Sequence, residues 1–522
     1  MKTQSQSRAG THIESTRSFR IADLLSPSAY PHPTAHLRLI ETAQSWVLLT
    51  GAYAYKVKKP VKLDFCDYSS LALRHAACFE EFRLNQKFAP EIYLDVVPIT
   101  GVSDRSMFDG PGKVVEYAVK MREFPQSLRL DRLLDAGALS VKDVDALAET
   151  IASLHRAAPT AELSSSLLDD QAPSAAPVSR RQLQIMKWVE QRGAALSEQM
   201  RLRSASGFVR ELHGDLRLDN IVRFGAQVLP FDCIEFSSRL RAIDVISDVA
   251  CITMELQVRG RKDLAYRMIN HYLESSGDYA GIALLSYFEV CRAEARASQY
   301  LEHAKTLAPE HRSKCLKQAE QLIHFAECRR LPVAPMMILI HGLSGAAQSR
   351  LGLQMMTDLP AIRISARTGQ GLLPTSGHAK DSNASSSVSE EAPTGNYEWL
   401  ADSAKAVIQG GEHVIVDAGF LNHAQRLRFR ALARELNVGL FLVCCTVPEA
   451  SARDGDATLH HRVKRVDPLR DDELSIAMPT EHVDMAQVSS VLEELIAQWR
   501  RDLAPGVQTR AMQLPDTEEQ IS

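Results

Sequence analysis

The first hundred or so residues alternate between short apolar runs and one helical pattern. Four runs of apolar and aromatic residues predict strands: Ser45–Thr50, Ala52–Val57, Tyr93–Ile99 and Val114–Met121. Gly51 separates the first two runs, which favours a hairpin-type pair. Apolar residues at near-helical spacing predict a helix over Ser69–Phe88, which Pro90 ends. This block is therefore predicted to be a small β-rich lobe that carries one helix.

Helical periodicity dominates the next two hundred residues. Ser140–Ala157 predicts one helix, and Ile282–Arg329 predicts two helices that break near Pro309. From Pro332 onward, buried strands are predicted at Met336–Ile340, His413–Val416 and Leu440–Cys445, with a helix at Ala424–Leu436. Strands that alternate with helices in this way imply a parallel, doubly wound sheet.

These changes of pattern predict domain boundaries. The Gly-, Ser-, Thr- and Pro-rich stretch Thr368–Asn396 predicts a flexible insert. We expect a disordered start at 1–30, a first domain at 31–330 that divides at 124/125, a second domain at 331–503 and a disordered tail at 504–522.

Composition and charge narrow the classes of function. Of 522 residues, 45% are hydrophobic and 24% charged, which is typical of a soluble globular protein. The 60 Lys and Arg and 64 Asp and Glu give a net charge of -4, which argues against a nucleic-acid partner. The longest apolar runs are far shorter than the ~20 residues that span a membrane. Nine scattered cysteines without a CxxC pair predict reduced thiols in a cytoplasmic protein.

The segment ELHGDLRLDNI carries the strongest chemical signal. Asn220 follows Asp215 by five residues, and Asp232 follows Asn220 by twelve, at the end of the strand-like run Val228–Phe231. Phosphoryl transfer needs one carboxylate that accepts a hydroxyl proton, and an amide and a second carboxylate that hold Mg²⁺. His213 is expected to brace the loop. An isolated His-Gly-Asp would be an ordinary turn, but all these residues in this order favour phosphoryl transfer.

The motifs HGDLRLDN and PFDCIEF resemble the aminoglycoside phosphotransferase family, a branch of the protein-kinase-like fold. Upstream, YAYKVKKPVKLDFCDYSSL, EEFRLNQKFAPEIYLDVVPI and EYAVKMREFP resemble a bacterial subgroup in which such a domain is fused to a C-terminal P-loop kinase-like domain. The resemblance runs from about His36 to Gln498. It implies an α+β, two-lobed kinase-like domain, followed by an α/β doubly wound P-loop NTPase-like domain, with ATP and Mg²⁺ as cofactors.

The resemblance also implies a role for each matching residue. Asp215 is similar to the catalytic base of the family, and Asn220 and Asp232 are similar to its Mg²⁺ ligands. Lys56 is similar to the lysine that contacts the nucleotide phosphates, and Glu81 to the helix carboxylate that pairs with that lysine.

Alternatives remain open within this set. Lys58 or Lys59 could take the role of Lys56, and Glu80 that of Glu81. The resemblance makes Glu116–Met121 the connection that meets adenine, although an ordinary core strand fits equally well. The RAEAR segment, Arg292–Arg296, is expected to be a solvated helix face.

The C-terminal segment MILIHGLSGAAQSRL has the strand–turn–helix context of a phosphate-binding loop but departs from the pattern GxxxxGK[ST]. Ala347 replaces a glycine that lets backbone amides curl around phosphate, and Gln348 replaces the lysine that supplies a positive charge. The residues of this degenerate site are Gly342, Gly345, Ala347, Gln348, Ser349 and, at a later strand end, Asp417. We expect that this domain has lost ordinary ATP chemistry; weak or atypical nucleotide binding is the alternative.

The favoured function is an ATP- and Mg²⁺-dependent phosphotransferase that acts on a hydroxyl of a small molecule. The family name does not fix the acceptor, because kinase-like folds serve many substrates. A nucleotide-binding pseudoenzyme or regulatory scaffold is the alternative, and the intact Asp215, Asn220 and Asp232 argue against it. An active P-loop kinase with an accessory N-terminal domain is a third hypothesis, which Gln348 disfavours.

Overall fold

The computed structural model describes residues 19–63, 65–102, 105–162, 179–342, 349, 351–353, 355–356, 359–366, 394–446, 467–470 and 475–479. Contacts separate the chain into two units. The first consists of Met1–Gln126 and Phe231–Ser237, and the second of Ser127–Pro230 and Ser238–Ser522. The short segment with Asp232 therefore belongs to the first unit, although the chain on either side of it belongs to the second.

Among the described residues, the first unit contains a six-stranded antiparallel sheet, a two-stranded sheet of β4 and β5, and one α-helix. Its strands are β1 (Arg38–Glu41), β2 (Ser45–Leu49), β3 (Tyr53–Lys58), β4 (Lys62–Leu63), β5 (Cys66–Asp67), β6 (Tyr93–Val102), β7 (Arg105–Phe108) and β8 (Lys113–Arg122). The main sheet has the order β1-β2-β3-β8-β6-β7. The helix α1 (Leu71–Phe88) begins at Ser70, whose hydroxyl accepts the N–H of Leu73, and packs on β6 and β8. Its buried positions include the polar residues Arg74, Glu81 and Asn85.

The register of the central strands corrects one prediction. Glu116–Met121 lies inside β8, which pairs with β3 on one side and with β6 on the other. Its backbone groups are therefore engaged in the sheet, and the prediction of a connecting segment here is wrong. The alternative, an ordinary core strand, is confirmed.

Helices dominate the second unit up to residue 330. They are α2 (Leu130–Asp135), α3 (Val141–Ala157), α4 (Arg180–Ala205), α5 (Ser238–Arg241), α6 (Val245–Val258), α7 (Lys262–Ser276), α8 (Ile282–Thr306) and α9 (Pro309–Arg329). Two short antiparallel pairs accompany them: β9 (Val209–Glu211) with β12 (Ala242–Asp244), and β10 (Ile221–Phe224) with β11 (Gln227–Pro230). The predicted break near Pro309 is confirmed, since a proline at the first helical position starts α9.

The remainder of the second unit is a parallel sheet. Its strands are β13 (Met336–Gly342), β14 (Ala361–Ser365), β15 (His413–Gly419), β16 (Gly439–Thr446) and β17 (Ser475–Pro479), in the order β14-β15-β13-β16-β17. Each neighbouring pair is parallel, and the helices α10 (Thr394–Gln409) and α11 (His423–Glu435) connect strands. The predicted fold class, an α+β part followed by a parallel α/β sheet, is confirmed.

The described residues cover two further predictions only in part: the flexible insert and the absence of a membrane span. Most of the predicted insert Thr368–Asn396 lies outside the described residues, but α10 already begins at Thr394. In the part of the chain that the structure describes, no helix combines the length and the apolar character that a membrane span requires.

Candidate functional site

Lys56 lies at the centre of a charged cluster in the first unit. Its Nζ atom is 2.8 Å from Oε1 of Glu81 and 2.5 Å from Oδ1 of Asp232. The three residues come from β3, from α1 and from the segment 231–237. The Glu81 side chain is fully buried, whereas that of Asp232 is 44% exposed. The sheet and helix therefore hold one end of the cluster rigidly and leave the aspartate accessible.

Lys58 joins the same cluster from the next position on the same face of β3. Its Nζ atom is 2.5 Å from Oε2 of Glu81 and also contacts Glu235. The Tyr68 hydroxyl donates to Oε1 of Glu235 at 2.7 Å. Glu81 is thus held by two lysines rather than one.

Other contacts account for the remaining predicted alternatives. Glu80 lies next to Arg83 on the outer face of α1, with 2.7 Å between their charged atoms. Lys59 contacts Glu41 at 2.6 Å. Of the candidate residues, Lys56 and Lys58 contact Glu81, whereas Lys59 and Glu80 have other partners.

Burial and charge act in opposite directions on the two lysines. Burial by itself would lower the pKa of Lys56, but the carboxylates of Asp232 and Glu81 outweigh it and hold that pKa well above its usual range. In the same way, Glu235 and Glu81 overcome burial and raise the pKa of Lys58. Burial would raise the pKa of Glu235, yet the lysines lower it. Both ammonium groups therefore stay charged among three carboxylates.

The backbone at Asp232 adopts an uncommon conformation. Its φ angle is 62°, in the left-handed region, which Asp and Asn tolerate better than other residues with a side chain. The Asp232 N–H donates to the Tyr93 hydroxyl at 3.1 Å, and the next N–H, of Cys233, donates to Oδ1 of Asn85 at 2.9 Å. Side chains of β6 and α1 thus fix the turn that presents this carboxylate.

The second unit contains the predicted base. Asp215 is 39% exposed, and Asn220 donates from Nδ2 to its backbone oxygen at 3.0 Å and to its Oδ2 at 3.2 Å. Nε of Arg217 lies 3.0 Å from the same carboxylate oxygen. The five-residue spacing in the sequence therefore becomes a closed loop in which Asn220 and Arg217 orient the aspartate.

A buried aspartate on α6 holds this loop from behind. Asp248 accepts the N–H of His213 at 3.1 Å and that of Gly214 at 3.2 Å. Gly214 has a φ of 80°, a conformation that costs glycine little. Burial would raise the pKa of Asp248, but the hydrogen bond and charge of His155 lower it.

The structure corrects the prediction for Arg292–Arg296. Arg292 donates to the Gly214 carbonyl at 3.1 Å and to the Ser247 hydroxyl at 2.9 Å. Arg296 lies 3.9 Å from Asp219. The prediction of a solvated helix face is wrong, because both arginines point from α8 onto the loop around Asp215. Their four-residue spacing, which places them on one face of the helix, was the available signal.

Sequence reasoning also missed Arg217 and Glu235. Arg217 lies inside the HGDLRLDN motif, two residues after Asp215, and Glu235 lies inside PFDCIEF, three residues after Asp232. Burial would lower the pKa of Arg217, yet Asp215 and Asp219 raise it. Both charged residues were visible in the sequence. The partners of Glu235, Lys58 and Tyr68, are distant in the chain, whereas the two-residue spacing of Arg217 from Asp215 was an available local signal.

The C-terminal P-loop-like site is described in part. Gly342 ends β13, and the Ser349 hydroxyl donates to Oδ2 of Asp417 at 3.4 Å. Gly345, Ala347 and Gln348 lie outside the described residues.

A divalent cation suits the donor set of the first unit. Two lysines among three carboxylates leave one negative charge in excess, and Asp232 offers partly exposed carboxylate oxygens. In the second unit, Asn220 uses its amide nitrogen for Asp215 and keeps a carbonyl oxygen. Oxygen atoms of this kind are the ligands that Mg²⁺ prefers. Asp232 and Asn220 are thus chemically suited to the metal.

A family model described as an AAA domain matches residues 337–466. This range begins in β13 and includes the parallel sheet as far as β16. The match indicates a P-loop domain at this place, in agreement with the prediction from the strand–turn–helix pattern.

Curated relatives match the chain over part of its length. Uncharacterized proteins of Mycobacterium bovis and Mycobacterium tuberculosis are each 30% identical over 278 residues, which is 49% of this chain and 53% of each relative. The chain spans about half the length of the curated relatives it matches.

Solved structures similar to the chain include small-molecule kinases. A choline/ethanolamine kinase family protein from Mesorhizobium loti is 11% identical, with a TM-score of 0.36, over 59% of this chain and 97% of its own. An aminoglycoside 2'-phosphotransferase in complex with GDP is 15% identical, with a TM-score of 0.32, over 56% of this chain and 92% of its own. An aminoglycoside phosphotransferase is thus among the structural neighbours, as the sequence resemblance predicts.

Proposed function

We propose that the protein is an ATP- and Mg²⁺-dependent phosphotransferase that moves the γ-phosphoryl group to a hydroxyl of a small molecule. The observation that carries this proposal is the contact of Lys56 with both Glu81 and Asp232, at 2.8 and 2.5 Å. Phosphoryl transfer needs a fixed ammonium for the phosphates and a carboxylate for the metal.

Each half of the chemistry has its own residues. Lys56, held by Glu81, would bind the phosphates, and Asp232 and Asn220 would hold Mg²⁺, which neutralises charge on the phosphate oxygens when bound. The acceptor hydroxyl oxygen forms a bond to the γ-phosphorus while the bond to the bridging β-phosphate oxygen breaks and ADP leaves. The hydroxyl proton passes to the carboxylate of Asp215, which Asn220 and Arg217 orient.

The alternative function is a nucleotide-binding pseudoenzyme or regulatory scaffold. Such a protein needs the lysine cluster but no base at Asp215. The hydrogen bonds from Asn220 and the contact of Arg217 favour catalysis, because they orient a carboxylate that remains accessible. For the C-terminal domain we propose a role without ordinary ATP chemistry, since Ala347 and Gln348 replace the glycine and lysine of the phosphate loop.

Calorimetry with a non-hydrolysable ATP analogue and Mg²⁺ tests the binding half of the proposal. We expect one site in the full chain, and at least about tenfold weaker binding in Asp232→Asn, because a metal-ligand oxygen and a negative charge are lost. Asparagine is the appropriate substitution, since it tolerates the left-handed backbone that alanine would strain.

Asp215→Asn tests the catalytic half and is the matched control. It should bind the analogue as the wild type does, and it should lower ADP release by about a hundredfold or more in a screen of hydroxylated small molecules. Equal ADP release by the wild type and by Asp215→Asn would contradict the assignment of Asp215 as the base. Binding that survives Asp232→Asn unchanged would place the nucleotide elsewhere.

A further inference from the structure

Arg363 on β14 makes a buried bridge to the carboxylate that a P-loop domain would offer to Mg²⁺. One terminal nitrogen lies 2.6 Å from Oδ2 of Asp417, and the other lies 2.5 Å from Oε1 of Glu274 on α7. Arg363 and Asp417 are each only 5% exposed. Oδ2 of Asp417, the oxygen that also accepts from Ser349, is therefore already matched with a guanidinium.

The backbone of the same strand is bound by α7. Asn270, which is fully buried, accepts the N–H of Arg363 at Oδ1 (2.6 Å) and donates from Nδ2 to the carbonyl of Ala361 (3.0 Å). β14 is an edge strand of the sheet. The side-chain amide thus satisfies the donor and acceptor that a further strand would have taken.

A second polar contact joins the same two parts of the unit. Glu412, which is 3% exposed and directly precedes β15, accepts from the Tyr266 hydroxyl of α7 at 2.5 Å and contacts Arg329 of α9 at 2.5 Å. Around both contacts, one apolar core includes residues of the helices and of the sheet, such as Leu273 and Ile362. The sheet is therefore built onto the helical part through buried groups rather than joined by a loose linker.

We infer that Asp417 is the anion of a structural bridge that docks the parallel sheet on α7, and that it is not a Mg²⁺ ligand. Arg363 supplies the positive charge that a metal would supply in an active P-loop domain. The C-terminal part is then a docking subdomain of the proposed phosphotransferase. The edge strand β14 of its sheet contacts α7 through Arg363, and α7 contacts the β14 backbone through Asn270.

The two roles of Asp417 predict different effects of Asp417→Asn on stability. If Asp417 is a bridge residue, its neutralisation leaves Arg363 with one buried charged partner fewer. We therefore expect the melting temperature of the full chain to fall by about 5 °C or more. Glu435→Gln, which breaks an exposed pair with Lys405, is the matched control and should change it by no more than about 1 °C. If Asp417 were a metal ligand with no metal bound, Asp417→Asn would not lower the melting temperature. An unchanged melting temperature would therefore overturn the inference.

Titration with Mn²⁺ and ATP supplies the second readout. It is performed in an Asp232→Asn background, which weakens the first-unit site. We expect the additional substitutions Asp417→Asn and Ser349→Ala to change the remaining Mn²⁺ affinity by less than about twofold. A loss of tenfold or more with either substitution would overturn the inference, as expected for removal of a metal ligand. Ser349→Ala keeps this test available should Asp417→Asn not fold, because Ser349 makes only a long contact of 3.4 Å. Failure of the proposed function is distinguishable, since it appears as unchanged binding in Asp232→Asn alone.

Discussion

Glu255 on α6 is a buried carboxylate beside the loop of the predicted base. Its Oε2 accepts the N–H of Leu218 at 3.0 Å, and Asp219 lies nearby. Burial and the charge of Asp219 raise the pKa of Glu255 to about 7. The folded protein therefore keeps a proton that the unfolded chain releases at lower pH.

The pH dependence of stability follows with a defined sign. Below about pH 4.5, Glu255 is protonated in both the folded and the unfolded chain, and its contribution to the free energy of unfolding is fully present. As the pH rises, the unfolded chain releases this proton first, so the contribution falls and is lost as the pH passes through about 7. We expect the wild type to lose roughly 3 kcal/mol relative to Glu255→Gln across this range, because glutamine still accepts the Leu218 N–H without a charge.

Urea denaturation between pH 5 and 8 measures this difference. Glu302→Gln, an exposed carboxylate on α8, is the control and should follow the wild type. Parallel curves for the wild type and Glu255→Gln would contradict the assignment of a proton to Glu255 in the folded protein.

At the scale of elements, the segment 231–237 is fixed to the first unit by side chains rather than by strand pairing. Lys58 and Tyr68 hold Glu235, while Asn85 and Tyr93 hold the backbone next to Asp232. Lys58 is therefore an anchor of the segment, whereas Lys56 contacts the partly exposed Asp232 itself.

Methionine substitutions separate these two lysines. Lys58 is 1% exposed, and Lys58→Met leaves Glu235 and Glu81 with one buried partner fewer, so we expect a loss of about 3 kcal/mol in the free energy of unfolding. Lys56→Met should cost less, because Lys56 is 15% exposed, yet it should weaken ATP-analogue binding more. Urea denaturation and calorimetry on both variants test this order; the reverse order of stability would contradict it.

At the scale of the whole molecule, one apolar core of the second unit contains residues of both the helices and the parallel sheet. Gly410 marks how closely the two parts approach. A Cβ atom at this position would lie 2.7 Å from the carbonyl oxygen of Ile282, at the start of α8. The helices and the sheet should therefore unfold together.

Gly410→Ala tests this coupling. We expect a loss of about 1–3 kcal/mol, since backbone must move to accept the methyl group. In Gly410→Ala, calorimetry should show one unfolding transition of helices and sheet together, at a lower temperature than in the wild type. Gln409→Ala, at the exposed neighbouring position, should leave the temperature of this transition unchanged. A separate, shifted transition of the sheet alone would contradict the shared core.

The local features of the chain could be predicted from the sequence. The helices Leu71–Phe88 and Val141–Ala157 were predicted to within about two residues, because their apolar spacing and capping residues are local. The loop from Asp215 to Asn220 was predicted for the same reason, since five residues can close on themselves. Its roles in catalysis stay predictions.

What depends on distant partners was not predictable. The sequence favours Lys56 but leaves Lys58 and Lys59 open. The register of β3 against β8 and the packing of α1 decide that Lys56 and Lys58 meet Glu81. Arg292 seemed solvated because its partner, the carbonyl of Gly214, lies 78 residues away.

The predicted helices and strands, the fold class and the five-residue spacing from Asp215 to Asn220 follow from the sequence, because they depend on side chains that are neighbours along the chain. The tertiary structure decided which charges meet. The sequence indicates Asp417 only as a carboxylate at a strand end and predicts no strand at Arg363. Their pairing arises because β14 and β15 lie side by side in parallel register. A buried ion pair depends on geometry between elements, and no local pattern encodes it.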